Sequence, residues 1–331
     1  MGYHSLRSID WTATTAYAEK ATQARSATEF YKAYKLHPDL DPSKFQLRES
    51  RDSVENPQST PIMVFSDVTG SMGSTAHYIA KKGFSTLVEE TLGRKAVTDP
   101  HILLGAVGDV VCGDRGSLQA SQFETSTVLL EQLDRLWVEG GGGGNRFESY
   151  NLPWHLAAFH TSCDSFEKRG QKGFLFTVGD ERCPPDLTPA DLQRVYQRGD
   201  EPCLTNAQLL EALSSKFHVV HVCLTRVGAF LGDGKEVRRS WLATLGSNVV
   251  YLSQSDYTAE AMISAMQILQ GQSKESVLNT WPFHIKVVLE DAFKEFTQSD
   301  PYSKPSSKPS SKPSSPSTPS EPMGDQDVFI F

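Results

Sequence analysis

The sequence predicts an α/β fold: a doubly wound, mainly parallel sheet with helices on both faces, an N-terminal extension before it and a disordered tail after it. Three observations carry that prediction. Between Pro61 and about Ser253, short apolar runs alternate with longer amphipathic stretches, a pattern that implies parallel strands joined by right-handed crossovers. Runs such as Ile62-Met63-Val64-Phe65 and Phe217–Leu224 (FHVVHVCL) are apolar throughout, as strands covered on both faces are. Finally, several of these runs end in loops rich in oxygen-bearing side chains, at the edge where open α/β sheets bind ligands.

The elements follow in order. Residues 1–60 balance their charges and are punctuated by Pro, so they read as an extension wrapping the main domain, with a short helix over Ala27–Leu36. The charge-dense Arg48–Ser53 reads as a solvated connector, with a latch or a partner surface as the sharper alternative. Ile62–Ser66 is the first strand, and Ser74–Leu92 a helix with Phe84, Leu87, Val88 and Leu92 on one face. Ile102–Val107 is the second strand, followed by a polar edge segment near Gln119–Glu124 and a helix near Ser126–Trp137. Beyond the glycine run come a helix over Glu148–Phe166, a strand at Gly173–Val178 and a helix over Asn206–Ser215. The strand Phe217–Leu224, a helix over Val237–Leu245 and a last strand at Val249–Leu252 complete the sheet. Two helices then close the ordered part, the final one carrying a core stripe of Ile285, Val288, Leu289, Ala292, Phe293 and Phe296. The domain layout is therefore 1–60, 61–272 for the main domain, and 273–297 for a helical extension.

Beyond Phe296 the composition changes. KPSS recurs at Lys304, Lys308 and Lys312, and chain so rich in Pro and Ser cannot bury a core, so 298–322 reads as a disordered linker. It tethers 323–331, whose apolar end Val328–Phe331 reads as a docking peptide for another subunit or protein, or for its own domain.

Composition bounds the function. The net charge of −8 argues against a nucleic-acid surface, which needs a concentrated basic face. No apolar run approaches the roughly 20 residues of a membrane span, and MGYHSLRSIDW lacks the apolar core of a signal peptide. The five cysteines are widely spaced and odd in number. They read as free thiols in a reducing compartment, which points to a cytoplasmic location.

The most informative stretch is Pro61–Gly73, PIMVFSDVTGSMG. A strand delivering Asp67-x-Thr69-x-Ser71 into a turn aims one carboxylate and two hydroxyls at one spot, a donor set that suits a hard divalent cation, Mg2+ above all. Two further loops at strand ends, Gly140–Ser149 and Gly179-Asp180-Glu181, share that edge. Asp67 and Asp180 side by side would repel without a cation. The alternative is a capped strand-to-helix turn that needs no metal. The glycine run is not a P-loop, since no Gly-Lys-Ser/Thr follows it. Asp109 and Asp114 read as supporting or ordinary loop carboxylates. His155, His160, His218 and His221 read as packing or surface residues.

DVTGSMG on a first strand resembles the von Willebrand factor A domain with its metal-ion-dependent adhesion site, over about residues 61–270. The resemblance implies that Asp67, Thr69 and Ser71 form the first ligand set and Asp180 supplies the third-loop Asp. The second loop has no Thr at the family's usual place, leaving Asn145, Glu148, Ser149 or a water to substitute. The third loop reads Val-Gly-Asp-Glu where Thr-Asp-Gly-Glu is common. Both departures resemble intracellular, prokaryote-type members. The implied function is a non-catalytic adaptor whose Mg2+ (or Mn2+ or Ca2+) engages a partner's acidic residue, in assemblies that by analogy include AAA+ ATPases.

Two alternatives stand beside it. Asp67-Val68-Thr69-Gly70-Ser71 also resembles the phosphorylation motif of haloacid-dehalogenase-type enzymes, with Asp67 as nucleophile. Asp180 or Asp233 would then hold the metal, and Lys172 or Lys235 would neutralise phosphate. Val68 and Thr69 depart from that pattern. The other alternative is a scaffold in a larger particle, clasped by the C-terminal peptide.

Overall fold

A run of strands buried on both faces needs helices above and below, and the computed structural model, which describes residues 33–72, 83–126 and 128–297, has that arrangement. Its strands are β1 (Arg48–Ser50), β2 (Thr60–Asp67), β3 (Pro100–Val107), β4 (Leu118–Ala120), β5 (Thr161–Cys163), β6 (Gly173–Gly179), β7 (Phe217–Leu224) and β8 (Val249–Leu252). Its helices are α1 (Phe84–Gly93), α2 (Val128–Asp134), α3 (Asn151–Phe159), α4 (Asp164–Arg169), α5 (Pro189–Tyr196), α6 (Asn206–Leu213), α7 (Gly228–Leu245), α8 (Thr258–Leu269), α9 (Lys274–Asn279) and α10 (Phe283–Ala292).

The main sheet has six strands in the order β4-β3-β2-β6-β7-β8. Every neighbouring pair is parallel except the edge pair β3–β4. β2 is central, with Val64 between Leu104 of β3 and Phe176 of β6. Alternate residues of β2 feed opposite layers. Ile62 and Val64 join the core beneath α1, α2, α8, α9 and α10, while Met63 and Phe65 join the core beneath α3, α5, α6 and α7. The chain runs outward from β2 through β3 to β4, then returns to β6 and runs outward the other way. The strand order thus reverses between β2 and β6, which opens a crevice at their carboxyl ends. No helix among the described residues is long and apolar enough to cross a membrane.

Several expectations need correction. The single helix over Glu148–Phe166 is broken into α3, β5 and α4. His160 caps α3, and Thr161–Cys163 pairs in parallel with β1, so residues of low helix propensity gain a partner strand. α7 starts at Gly228, earlier than Val237, because its glycine-rich first turns are helical up to a kink at Asp233. α5 was not foreseen, although Thr188 and Asp191 form a reciprocal capping box with Pro189 in the first turn. Three closing helices replace two, since Ser273 caps α9 and Pro282 precedes α10. The stripe on the last helix holds: Val288, Leu289, Ala292, Phe293 and Phe296 are buried, with Ile285 packed against them. Of the helix expected over Ala27–Leu36, residues 33–36 are not helical and the rest lies outside the described residues. The linker and terminal peptide lie outside them as well.

Arg48–Ser53 is a latch rather than a solvated connector. Besides β1–β5 pairing, the Arg51 guanidinium donates to Asp164 Oδ1 at 2.9 Å and Glu167 Oε2 at 2.7 Å. Asp52 accepts from Arg169 at 2.5 Å, and its own amide donates to Asp164 Oδ2 at 2.9 Å. Arg48 is buried, lies over the Phe45 ring at 3.5 Å, and donates to the Ala120 carbonyl at 2.8 Å. Charges satisfied in this way hold the segment across both the β4 edge and β5. Removing the shared acceptor leaves several donors unpaired, at about 1–3 kcal/mol. Asp164→Ala is therefore expected to lower unfolding stability by that amount and to speed limited proteolysis within residues 37–58. Unchanged stability and cleavage would refute the latch.

Candidate functional site

The local sequence Asp-x-Thr fixes the first side chain. Asp67 ends β2 fully buried; its Oδ1 accepts from the Thr69 amide at 2.8 Å and the Thr69 hydroxyl at 2.6 Å. This is an Asx-type turn, in which a short carboxylate substitutes for a backbone acceptor. Asp67 Oδ2 accepts from the Tyr150 hydroxyl at 2.9 Å. Gly70–Met72 then forms one 3-10 turn, which brings Ser71 Oγ to 3.3 Å from Thr69 Oγ1. Asp180, one residue past β6, completes the row: its Oδ1 accepts from Ser71 Oγ at 3.2 Å.

Asp180 Oδ2 accepts from the Ala229 amide at 2.6 Å, in the first turn of α7. That contact needs glycine at 228, where φ is +37° and a Cβ would fall 2.2 Å from Asp180 Oδ2 and 2.7 Å from Ser71 Cβ. The glycine run closes the other side. The Gly70 amide donates to the Gly141 carbonyl at 3.0 Å. Gly142 lies near Thr69 at φ +122°, a conformation that L side chains avoid, although a Cβ there would meet Thr69 Cβ only at an ordinary 3.7 Å.

The expected second-loop residues separate. Asn145 Nδ2 donates to Asp109 Oδ2 at 2.5 Å, and Ser149 Oγ accepts from the Val110 amide at 3.0 Å, so both brace the loop after β3. Asp114 has a bracing role too, accepting from the Asp109 amide at 2.9 Å. Glu148 instead has its pKa pushed up to about 10, by burial and then by Asp67, Glu181, Asp109 and Asp114. It is buried, and its Oε2 has no hydrogen-bond partner.

Burial is the largest influence on these carboxyls. It raises the pKa of Asp67, with Asp180 adding repulsion and the Thr69 and Tyr150 hydrogen bonds opposing it. It raises Glu148 further, because the surrounding carboxylates all act in the same direction. Glu181 is pushed up to about 7 by burial and then by Asp180, Asp67 and Asp109. Asp180 is raised by burial against the hydrogen bonds from Ala229 and Ser71. The cluster thus strains against its own negative charge. Thr69 Oγ1, Ser71 Oγ and Asp180 Oδ1 stand in a row at 3.3 and 3.2 Å. Ligand oxygens of an octahedral Mg2+ lie about 3 Å apart, so the donor type and spacing fit that ion.

Of the groups named for the phosphoryl-transfer alternative, Asp180 belongs to the Asp67 cluster, whereas Asp233 is engaged elsewhere. Asp233, at the kink of α7, is held by Arg182 Nε at 2.5 Å, and Lys235 is exposed. Sequence reasoning missed Tyr150 and the first turn of α7. Tyr150 lies 83 residues from Asp67, and no local pattern joins them. For α7, the glycines flanking Asp233 were the available signal. No protein-family model matches this chain, and neither does any curated protein.

Two outcomes follow. A carboxyl whose folded pKa is raised holds its proton more tightly when folded. Its contribution is greatest below the unfolded value of about 4.3 and is lost as pH rises through the folded value. In chelator, wild-type stability is expected to fall between about pH 5 and 8 through Glu181 and its neighbours. The decline should be shallower in Glu181→Gln, and equal slopes in thermal melts would count against the repulsive cluster. Gly228→Ala is expected to cost about 1–3 kcal/mol by forcing α7 off Asp180, and a variant as stable as wild type would contradict that packing.

Proposed function

We propose that this chain is a non-catalytic, divalent-cation-dependent protein-binding domain of the von Willebrand factor A type. One observation carries the reading: Thr69, Ser71 and Asp180 align hard oxygen donors beside the buried Asp67, at the crevice where the strand order reverses. Mg2+ fits best, with Mn2+ and Ca2+ sharing its preference for oxygen. Asp67, Thr69, Ser71 and Asp180 hold the cation, and Glu148 contributes charge behind them. The cation offsets the repulsion among the carboxylates and offers a coordination position to an acidic side chain of a protein partner. In this reading the protein is an adaptor in a multi-protein assembly. Five unpaired thiols accord with a reducing, cytoplasmic setting.

The test is a thermal melt in chelator and then in Mg2+ or Mn2+, for wild type and Asp67→Ala. A ligand of the native state alone stabilises by about 2.7 kcal/mol at a hundredfold excess over its dissociation constant. Wild type is expected to gain stability of that order and Asp67→Ala none. An equal response in both proteins, or none in either, would falsify the cation site.

A further inference from the structure

A second group of metal-ligating side chains lies away from the Asp67 cluster. His155 is on α3, His160 caps that helix, and Glu201 sits between α5 and α6. Tyr150 and His160 flank the nine residues of α3, ten steps of helical rise or about 15 Å apart, so the two groups are distinct. One ligand atom from each of His155, His160 and Glu201 falls within 4.8 Å of the other two. His160 Nε2 is 2.8 Å and His155 Nε2 is 3.9 Å from the same carboxylate oxygen, Glu201 Oε2. The three side chains are 10%, 0% and 6% exposed, respectively.

The outer atoms of each ligand are already held. His160 Nδ1 is 3.0 Å from the Gln46 carbonyl, and His155 Nδ1 is 3.0 Å from the Tyr196 hydroxyl. Arg198 Nε donates to Glu201 Oε1 at 3.0 Å. His160 can donate through Nδ1–H to the Gln46 carbonyl and turn its Nε2 lone pair inward, the arrangement that orients histidine ligands around a metal. His155 Nε2–H donates to the Pro202 carbonyl in the metal-free protein, and ligation would move that proton to Nδ1, where the Tyr196 hydroxyl can accept it. Burial pushes His155 down to about 4, so its ring is neutral and carries a single proton. The Pro202 carbonyl, 3.1 Å from His155 Nε2, stands beside the group as a further oxygen donor. Tetrahedral bonds of about 2.1 Å place ligand atoms about 3.4 Å apart. The observed 2.8 and 3.9 Å lie on either side of that spacing.

The geometry points to a structural site for zinc, or a chemically similar divalent transition ion, formed by His155, His160 and Glu201. Two imidazoles and one carboxylate are a zinc donor set, and with the Pro202 carbonyl as a fourth ligand the shell would be closed, as in a structural site. The ion fastens three segments that are distant in sequence. α3 supplies both histidines, the 197–205 loop supplies Glu201, and the N-terminal strap is held through Gln46 on His160 and through Phe45, whose carbonyl accepts from Arg198 at 3.3 Å. Without the ion the same segments are joined by hydrogen bonds alone, from His160 to the Gln46 carbonyl and the Glu201 carboxylate.

The experiment uses the full chain, freed of metal by chelator and then saturated with Mg2+. It is titrated with Co2+ as a spectroscopic substitute and then with Zn2+. Wild type is expected to bind one equivalent, with a visible Co2+ absorption that Zn2+ displaces. X-ray absorption of the Zn2+ form is expected to show imidazole ligands, a readout that needs no variant. Uptake should persist in Asp67→Ala, which separates this site from the Mg2+ proposal, and weaken at least tenfold in His160→Gln and Glu201→Gln. No uptake by wild type, a metal shell without imidazole, loss in Asp67→Ala or undiminished uptake in the other two variants would each overturn the site.

Discussion

The carboxyl edge of the sheet depends on keeping the Asp67 carboxylate buried. Its two oxygens accept three hydrogen bonds, from the Thr69 amide, the Thr69 hydroxyl and the Tyr150 hydroxyl. Those bonds make burial tolerable without removing its cost. They also shape the turn, because a chain that satisfies Asp67 from Thr69 must place Ser71 next to Asp180. Around this point gather Glu148, Glu181 and Asp180, each raised by burial. A fold that sought stability alone would not collect carboxyls there. The accumulated repulsion is what supports the proposal that this edge serves a ligand of opposite charge.

Two devices let the edge form. The reversal of strand order brings β2 and β6 together, so loops far apart in the chain meet in one crevice. Glycine serves two ends: Gly228 admits the first turn of α7 to Asp180 where a Cβ would collide, and Gly142 supplies the positive φ that the second loop takes beside Thr69. The N-terminal strap works at a different place. It adds β1 to β5 and satisfies Asp164, Glu167 and Arg169 with Arg51 and Asp52. At the same end, His160 and Arg198 accommodate the carbonyls of Gln46 and Phe45. The strap therefore belongs to the packed domain as much as any helix does.

Much of this architecture was legible in the residues. Uniformly apolar runs located β2, β3, β6, β7 and β8, because a strand covered on both faces leaves no other pattern. The Asp-x-Thr-x-Ser spacing identified the first loop, since an Asx-type turn is a local event governed by neighbouring atoms. Errors fell where non-local partners decide conformation. The break between α3 and α4 exists because β1 arrives to pair with Thr161–Cys163. The charge-dense Arg48–Ser53 resembles a solvated segment until its counter-ions on α4 are known.

The residues alone set the alternation of strands and helices, the oxygen donors of Asp67, Thr69, Ser71 and Asp180, and a net charge of −8. These follow from composition, period and spacing, which act over a few residues. Packing between distant segments set Asn145 and Ser149 to brace Asp109 and Val110, and buried Glu148 where neighbouring carboxylates raise its pKa. It also brought Tyr150 to Asp67 and drew His155 and His160 to Glu201. The physical reason is the same throughout. Hydrogen-bond partners and neighbouring charges across a sheet are set by packing between distant segments, and no local period in the chain encodes them.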